Sequence, residues 1–87
     1  MTESDETVYL VDDDEAVRES LAFLLKSAGV VCSPYESAEA FLAEFSPDMK
    51  GCLILDIRMP GINGMELQAM LIERNCQLPI IFITGHG

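Results

Sequence analysis

Basic residues are scarce in this sequence of 87 residues. It contains five Lys and Arg residues against fifteen Asp and Glu residues, which gives a formal net charge of −10. The five basic residues are scattered, whereas a face that binds nucleic acid needs clustered Lys and Arg to neutralise phosphates. The composition therefore argues against DNA or RNA binding by this chain itself.

Cysteine is limited to three widely separated positions, Cys32, Cys52 and Cys76, with no Cys-x-x-Cys pair. A zinc site built from this set is therefore disfavoured. Cys52 lies inside an apolar run and is interpreted as a small buried hydrophobic residue. The odd cysteine count and the lack of a recognisable signal peptide indicate a reducing cytosol. No apolar run approaches the length that crosses a bilayer, so no membrane partner is expected.

Two apolar runs of strand length each lead directly into acidic residues. The run from Val8 to Val11 is followed by Asp12-Asp13-Asp14-Glu15, and the run from Cys52 to Leu55 is followed by Asp56. If the two runs are neighbouring parallel strands, their carboxyl ends meet at the sheet edge where ligands bind. Carboxylates gathered there repel one another unless a cation lies among them or some of them hold protons. A hard divalent cation, Mg²⁺ serving phosphate chemistry, is the simplest explanation.

Hydrophobic periodicity and turn residues predict alternating strands and helices. Strands are expected over 7–11, 30–33, 51–56 and 80–84, and helices over 16–28, from an N-cap at Ser37 through Phe45, and over 65–74. This alternation favours a parallel sheet with right-handed crossovers.

Local signals refine the first two units of this pattern. Val17, Leu21, Leu24 and Ala28 recur at helical spacing and predict the buried stripe of the first helix. Gly29 follows as its C-terminal cap, and the second strand is expected at an edge of the sheet. Pro34 and Tyr35 are expected to turn the chain after that strand.

Three segments together resemble the receiver domain of two-component response regulators, and FixJ-type receivers most closely. They are Val11-Asp12-Asp13-Asp14, Asp56-Ile57-Arg58-Met59-Pro60-Gly61-Ile62-Asn63-Gly64 and Ile83-Thr84-Gly85-His86-Gly87. An acidic pair alone is weak evidence, but its combination with Asp-x-x-Met-Pro-x-x-x-Gly and a later Thr is specific. The resemblance extends from Val8 onward. It implies an α/β, flavodoxin-like (CheY-like), doubly wound sheet of strand order 2-1-3-4.

Compared with such receivers, residues 1–87 are expected to form an incomplete, N-terminal portion of the domain. The fourth helix, the fifth strand and the fifth helix of the family have no counterpart in the sequence. The family's Lys that pairs with the phosphoryl group is missing with them.

The resemblance implies a role for each matching residue. Asp56 is the phospho-acceptor, because a carboxylate can attack phosphorus and form an acyl phosphate. Asp13 is a direct Mg²⁺ ligand, Asp12 holds the ion through water, and Arg58 contributes its backbone carbonyl beside Asp56. Thr84 supplies the hydroxyl that senses the phosphoryl group. The chain is thus expected to be a signalling module that assists its own aspartyl phosphorylation and not an enzyme acting on external substrates.

Asp14 and Glu15 have a structural interpretation instead. They are expected to begin the first helix, where negative charge is favoured, and need not point toward the metal.

The resemblance also implies partners. A sensor histidine kinase would donate the phosphoryl group, and DNA binding would belong to an output domain outside this chain. A homodimer is expected through the apolar fourth strand, Ile80 to Ile83, or through an uncovered sheet face.

Two alternative functions stay open. The first is a degenerate receiver fragment that dimerises without being phosphorylated. The second is an Asp-nucleophile phosphatase, but such hydrolases commonly place a second Asp two residues after the nucleophile, where this sequence has Arg58.

Overall fold

The computed structural model describes residues 6–83, and within that range strands and helices alternate. The strands are β1 (Thr7–Val11), β2 (Cys32–Tyr35), β3 (Gly51–Asp56) and β4 (Ile80–Ile83). The helices are α1 (Glu15–Ser27), α2 (Ala38–Glu44) and α3 (Gly64–Glu73). All strand pairs are parallel and the sheet order is β2-β1-β3-β4. The predicted α/β fold and its 2-1-3-4 order are confirmed, with most element ends within one or two residues of expectation.

The first helix begins where the acids predict but presents a different face to the sheet. Asp14 is its N-cap and accepts hydrogen bonds from the N–H groups of Ala16 and Val17. Gly29 follows the helix with φ +81°, as expected of a C-terminal cap. The predicted buried stripe is wrong at its second half, because Leu24 is 62% exposed and Ala28 is also exposed.

The sheet-facing row of α1 follows a spacing of four residues. Val17, Leu21 and Leu25 are half-buried, and no residue of the helix is fully buried. The helix packs mainly against β2 and β1, which favours this row over the one that continues through Leu24.

The predicted position of β2 is wrong by two residues. Pro34 and Tyr35, expected to turn the chain, are part of the strand and pair with Leu10 and Val11. The N–H of Val8 donates to the carbonyl of Val31, and that of Asp12 to the carbonyl of Tyr35. Alternate residues of β2 therefore bond to β1, which leaves the nitrogen of Pro34 facing the open side. An edge strand tolerates proline in that orientation, and the edge position itself was predicted correctly.

The core lies on one side of the sheet, between the strands and the helices α2 and α3. Phe41 is its centre, with ring centroids 5.8 Å from Tyr9, 5.2 Å from Tyr35 and 6.0 Å from Phe45. Its fully buried members from the strands and helices are Val11, Leu53, Leu55, Ala38, Phe41, Leu67 and Leu71. Within residues 6–83 the opposite sheet face carries α1 alone.

Smaller predictions also have outcomes. Cys52, predicted to be buried, is only half-buried at the second position of β3, and Cys32, Cys52 and Cys76 are all free thiols. Among the described residues, none of the helices combines the length and the apolar character that a membrane span requires.

Candidate metal centre

The pairing of β1 with β3 brings the acids together. Val11 is in register with Leu55. Asp12 and Asp56, which directly follow them, therefore lie at the same edge of the sheet. One carboxylate oxygen from each of Asp12, Asp13 and Asp56 lies within 4.8 Å of the others. The structure thus gathers the three predicted acids, while their roles as ligands and acceptor remain predictions.

Asp12 is fully buried, and three of its four polar groups are held. Its N–H donates to the carbonyl of Tyr35 at 3.2 Å. Its own carbonyl accepts from Nη1 of Arg18 at 2.9 Å, and Oδ1 accepts from the N–H of Asp14 at 2.9 Å. The remaining atom, Oδ2, is buried and accepts no hydrogen bond from the described residues. A buried carboxylate oxygen without a donor is costly unless a cation or a proton compensates it.

Asp56 is also fully buried, and backbone groups fix its surroundings. Its Oδ1 accepts a hydrogen bond from the N–H of Arg58 at 3.1 Å. Arg58 itself is exposed, and its backbone N–H is the group that contacts Asp56. The first turn of α3 lies close to the end of β3, because the N–H of Gly64 donates to the carbonyl of Ile57 at 3.1 Å.

Asp13 is exposed and completes the group from the solvent side. Asp14, the fourth acid of the region, is turned away to cap α1, as expected from its sequence position. Thr84, the predicted phosphoryl-sensing residue, lies outside the described residues.

Arg18 was missed by the sequence analysis as a neighbour of the site. Its guanidinium reaches back from the first turn of α1 to the backbone of Asp12, six residues earlier in the chain. The available signal was its position as one of five basic residues, on the helix that directly follows the acids.

The donor set fits a hard divalent cation. Ligand oxygens of an octahedral Mg²⁺ site lie about 3 Å apart when adjacent and about 4 Å apart when opposite. One oxygen from each of the three carboxylates lies within 4.8 Å of the others, close to these spacings. A cation would also stabilise Oδ2 of Asp12, which is buried and accepts no hydrogen bond from the described residues. Carboxylates without imidazole or thiolate favour Mg²⁺ over zinc or copper.

Comparison with known proteins adds an independent finding. The family model for the response regulator receiver domain matches residues 8–87. The chain is 50% identical over 80 residues to the transcriptional regulatory protein FixJ of Azorhizobium caulinodans, covering 92% of this chain and 38% of that protein. The chain spans about 40% of the length of the curated relatives it matches.

Solved structures resemble this fold closely. The crystal structure of FixJ-N has a TM-score of 0.86 and 49% identity, over 98% of this chain and 68% of that chain. The response regulator TrrA of Thermotoga maritima, solved in complex with Mg(2+)-BeF, has a TM-score of 0.79 and 30% identity, over 93% of this chain and 72% of that chain.

Proposed function

The chain belongs to the response regulator receiver domain family, and we propose that it accepts a phosphoryl group on Asp56 from a sensor histidine kinase, with Mg²⁺ bound at Asp12, Asp13 and Asp56. The observation that supports this most is Oδ2 of Asp12, a buried carboxylate oxygen without a donor among the described residues. It lies in a group of three acids that a bound cation would stabilise. The complex of TrrA with Mg(2+)-BeF supports the same assignment, since beryllium fluoride stands in for a phosphoryl group.

The proposed ligand set is the one that the resemblance to receiver domains implies. Asp13 and Asp56 would bind Mg²⁺ directly, Asp12 would bind it through water, and the backbone carbonyl of Arg58 would complete the protein ligands. When bound, the ion supplies positive charge that offsets the charge developing on the transferred phosphoryl group.

The chemical step belongs to Asp56. Its carboxylate oxygen forms a bond to phosphorus as the bond between phosphorus and the kinase histidine nitrogen breaks, and the imidazole leaves with the electron pair. The N–H of Arg58, 3.1 Å from Oδ1, holds the carboxylate in one orientation during the attack. Thr84 is proposed to bond a phosphoryl oxygen afterwards and so to report the modification. Thr84→Ala is expected to keep phosphorylation and to lose much of the response.

The test uses acetyl phosphate as a small phosphoryl donor in the presence of Mg²⁺. We expect one added phosphoryl group per chain by intact mass spectrometry, and no addition in Asp56→Asn. The matched control is Asp14→Asn, which removes a carboxylate from the same loop but keeps an N-cap of equal quality. Rapid multiple turnover would indicate a phosphatase instead, and no uptake would contradict the phospho-acceptor role.

The wider partners are part of the same proposal. FixJ of Azorhizobium caulinodans is a transcriptional regulator of which this chain matches about two-fifths, so DNA binding is assigned to an output domain distinct from the receiver. A cytoplasmic location is proposed with it, in keeping with three free thiols.

A homodimer is proposed through β4. Among the described strands β4 pairs with β3 alone, and its Ile81 is 51% exposed. An apolar edge strand with unpaired backbone groups is a template for pairing with a second copy.

A further inference from the structure

Arg18 connects α1 to the acidic loop, residues 12–14, which joins β1 to α1. It is the fourth residue of the helix, and its Nη1 donates to the carbonyl oxygen of Asp12 at 2.9 Å in a partly buried contact. Arg18 also lines a shallow surface pocket with Tyr35 and Glu44, at the end of β2 and on α2. One nitrogen of its guanidinium is therefore held at the backbone of Asp12.

We propose that Arg18 is a positioning residue of the metal centre and acts through Asp12; this inference rests on the proposed Mg²⁺ site. The oxygen that Arg18 holds belongs to the peptide group that joins Asp12 to Asp13. The orientation of that peptide sets the direction in which both carboxylates leave the backbone. Fixing it keeps Oδ2 of Asp12 and the carboxylate of Asp13 directed at Asp56.

The other contacts of Asp12 cannot replace this one. The N–H of Asp12 is held by the carbonyl of Tyr35, which fixes the peptide before Asp12. Oδ1 is held by the N–H of Asp14, which fixes the side chain relative to the loop. Only the bond from Arg18 holds the carbonyl of Asp12 among the contacts described for residues 6–83. Partners that orient metal ligands in this way commonly affect metal affinity strongly when they are removed.

Charge and position predict opposite effects of removing Arg18. A guanidinium near the site repels a divalent cation, so its loss would tighten Mg²⁺ binding if charge alone mattered. Loss of positioning instead weakens binding, because the carboxylates must be ordered when the ion binds. The direction of the change in affinity therefore separates the two roles.

The experiment measures Mg²⁺ affinity of the 87-residue chain by isothermal titration calorimetry. We expect Arg18→Gln to raise the dissociation constant about 10-fold, with Arg18→Lys between it and the unsubstituted chain, since an ammonium lacks the planar fork. The control Lys26→Gln removes the same charge from an exposed site in the last turn of α1 and should leave binding unchanged or slightly tighter. Hydrogen exchange without metal adds a second readout. The N–H of Asp14 should exchange faster in Arg18→Gln.

The outcomes separate this inference from the function on which it rests. Equal or tighter Mg²⁺ binding by Arg18→Gln overturns the positioning role, and so does a lower free energy of unfolding in urea with an unchanged dissociation constant. If Arg18→Gln does not give the amide spectrum of a folded chain, an Arg18→Lys affinity equal to that of the unsubstituted chain overturns it. Absence of Mg²⁺ binding by the unsubstituted chain, or undiminished binding by Asp13→Asn, overturns the metal centre itself and this inference with it.

Discussion

Tyr35 joins the acidic loop to the core through its backbone and its ring. Its carbonyl accepts the N–H of Asp12, while its ring packs edge-on against Phe41. Its hydroxyl lies 2.9 Å from Oε1 of Glu44 and 3.3 Å from Oγ of Ser33. Burial raises the pKa of Tyr35 above its ordinary value, and the Glu44 carboxylate adds to that increase against the opposing Ser33 hydrogen bond.

The raised pKa of Tyr35 predicts a loss of stability at alkaline pH. The unfolded chain releases the phenolic proton near pH 10, about the ordinary value, while the folded chain keeps it until higher pH. The free energy of unfolding should therefore fall as pH rises past about 10. Urea unfolding at a series of pH values measures this decline, which should be shallower in Tyr35→Phe.

Two observations control that prediction. The decline should not vanish in Tyr35→Phe, because burial also raises the pKa of the Cys32 thiol. Glu44→Gln should lower the pKa of Tyr35 in an ultraviolet titration of tyrosinate, since it removes the carboxylate that opposes ionisation. Parallel stability curves for Tyr35→Phe and the unsubstituted chain would contradict the assignment.

At the scale of elements, the junction of β3 with α3 determines where Asp56 lies. A Cβ atom on Gly64 would be 2.6 Å from the carbonyl oxygen of Asp56 and 2.9 Å from Cα of Ile57, so only glycine allows this approach. The helix begins there because Asn63 and Glu66 form a capping box, with both hydrogen bonds at 2.9 Å. The strand end and the helix start are thus held against each other.

Gly64→Ala should therefore disturb both folding and the site. Overpacking against backbone is expected to lower the free energy of unfolding by about 1–3 kcal/mol, and displacement of Asp56 should weaken Mg²⁺ binding. The control is Gly29→Ala, which strains a residue with φ +81° but meets no atom within 4 Å and lies at the far end of α1. It should reduce stability without changing Mg²⁺ affinity. An unchanged affinity in Gly64→Ala would show that this contact does not position Asp56.

Some element features could be predicted from the sequence because one local signal determines each. Asp14, Ser37 and Gly29 cap helices as their residue types suggest. The meeting of Asp12 with Asp56 was predictable too, since apolar runs that end in acids place those acids at one sheet edge.

The wrong predictions concern residues that fit two structural roles equally well, so that only their tertiary contacts decide between the two. Pro34 fits a turn or an outward-facing position on an edge strand, and the pairing with β1 decides for the strand. Leu24 fits a helical stripe as well as Leu25 does, and the packing of α1 against β1 and β2 decides between them. The contact from Arg18 to Asp12 joins a helix to the loop before it, and a periodic pattern does not encode such a contact.

At the scale of the whole molecule, apolar surface is distributed unevenly. Helices α2 and α3 cover one face of the sheet and bury the aromatic centre around Phe41. Within residues 6–83, β4 is the edge strand on the side of the sheet away from β2. Its Ile81 is in register with Ile54 of β3. A second copy that pairs with this edge would cover Ile81 and satisfy the outward backbone groups of β4.

The proposed dimer predicts a specific sensitivity to charge at β4. The unsubstituted chain should show about twice its monomer mass of 9.6 kDa in light scattering during gel filtration. Ile81→Lys should shift it toward the monomer, because an edge lysine would have to lose its hydration when a second strand pairs there. Val31→Lys is the matched control, since Val31 is 61% exposed beside β2 at the opposite edge and the change in net charge is the same. A monomeric unsubstituted chain, or equal dissociation in both variants, would contradict pairing through β4, whereas a dimer lost only in Ile81→Lys would place the second copy at this edge.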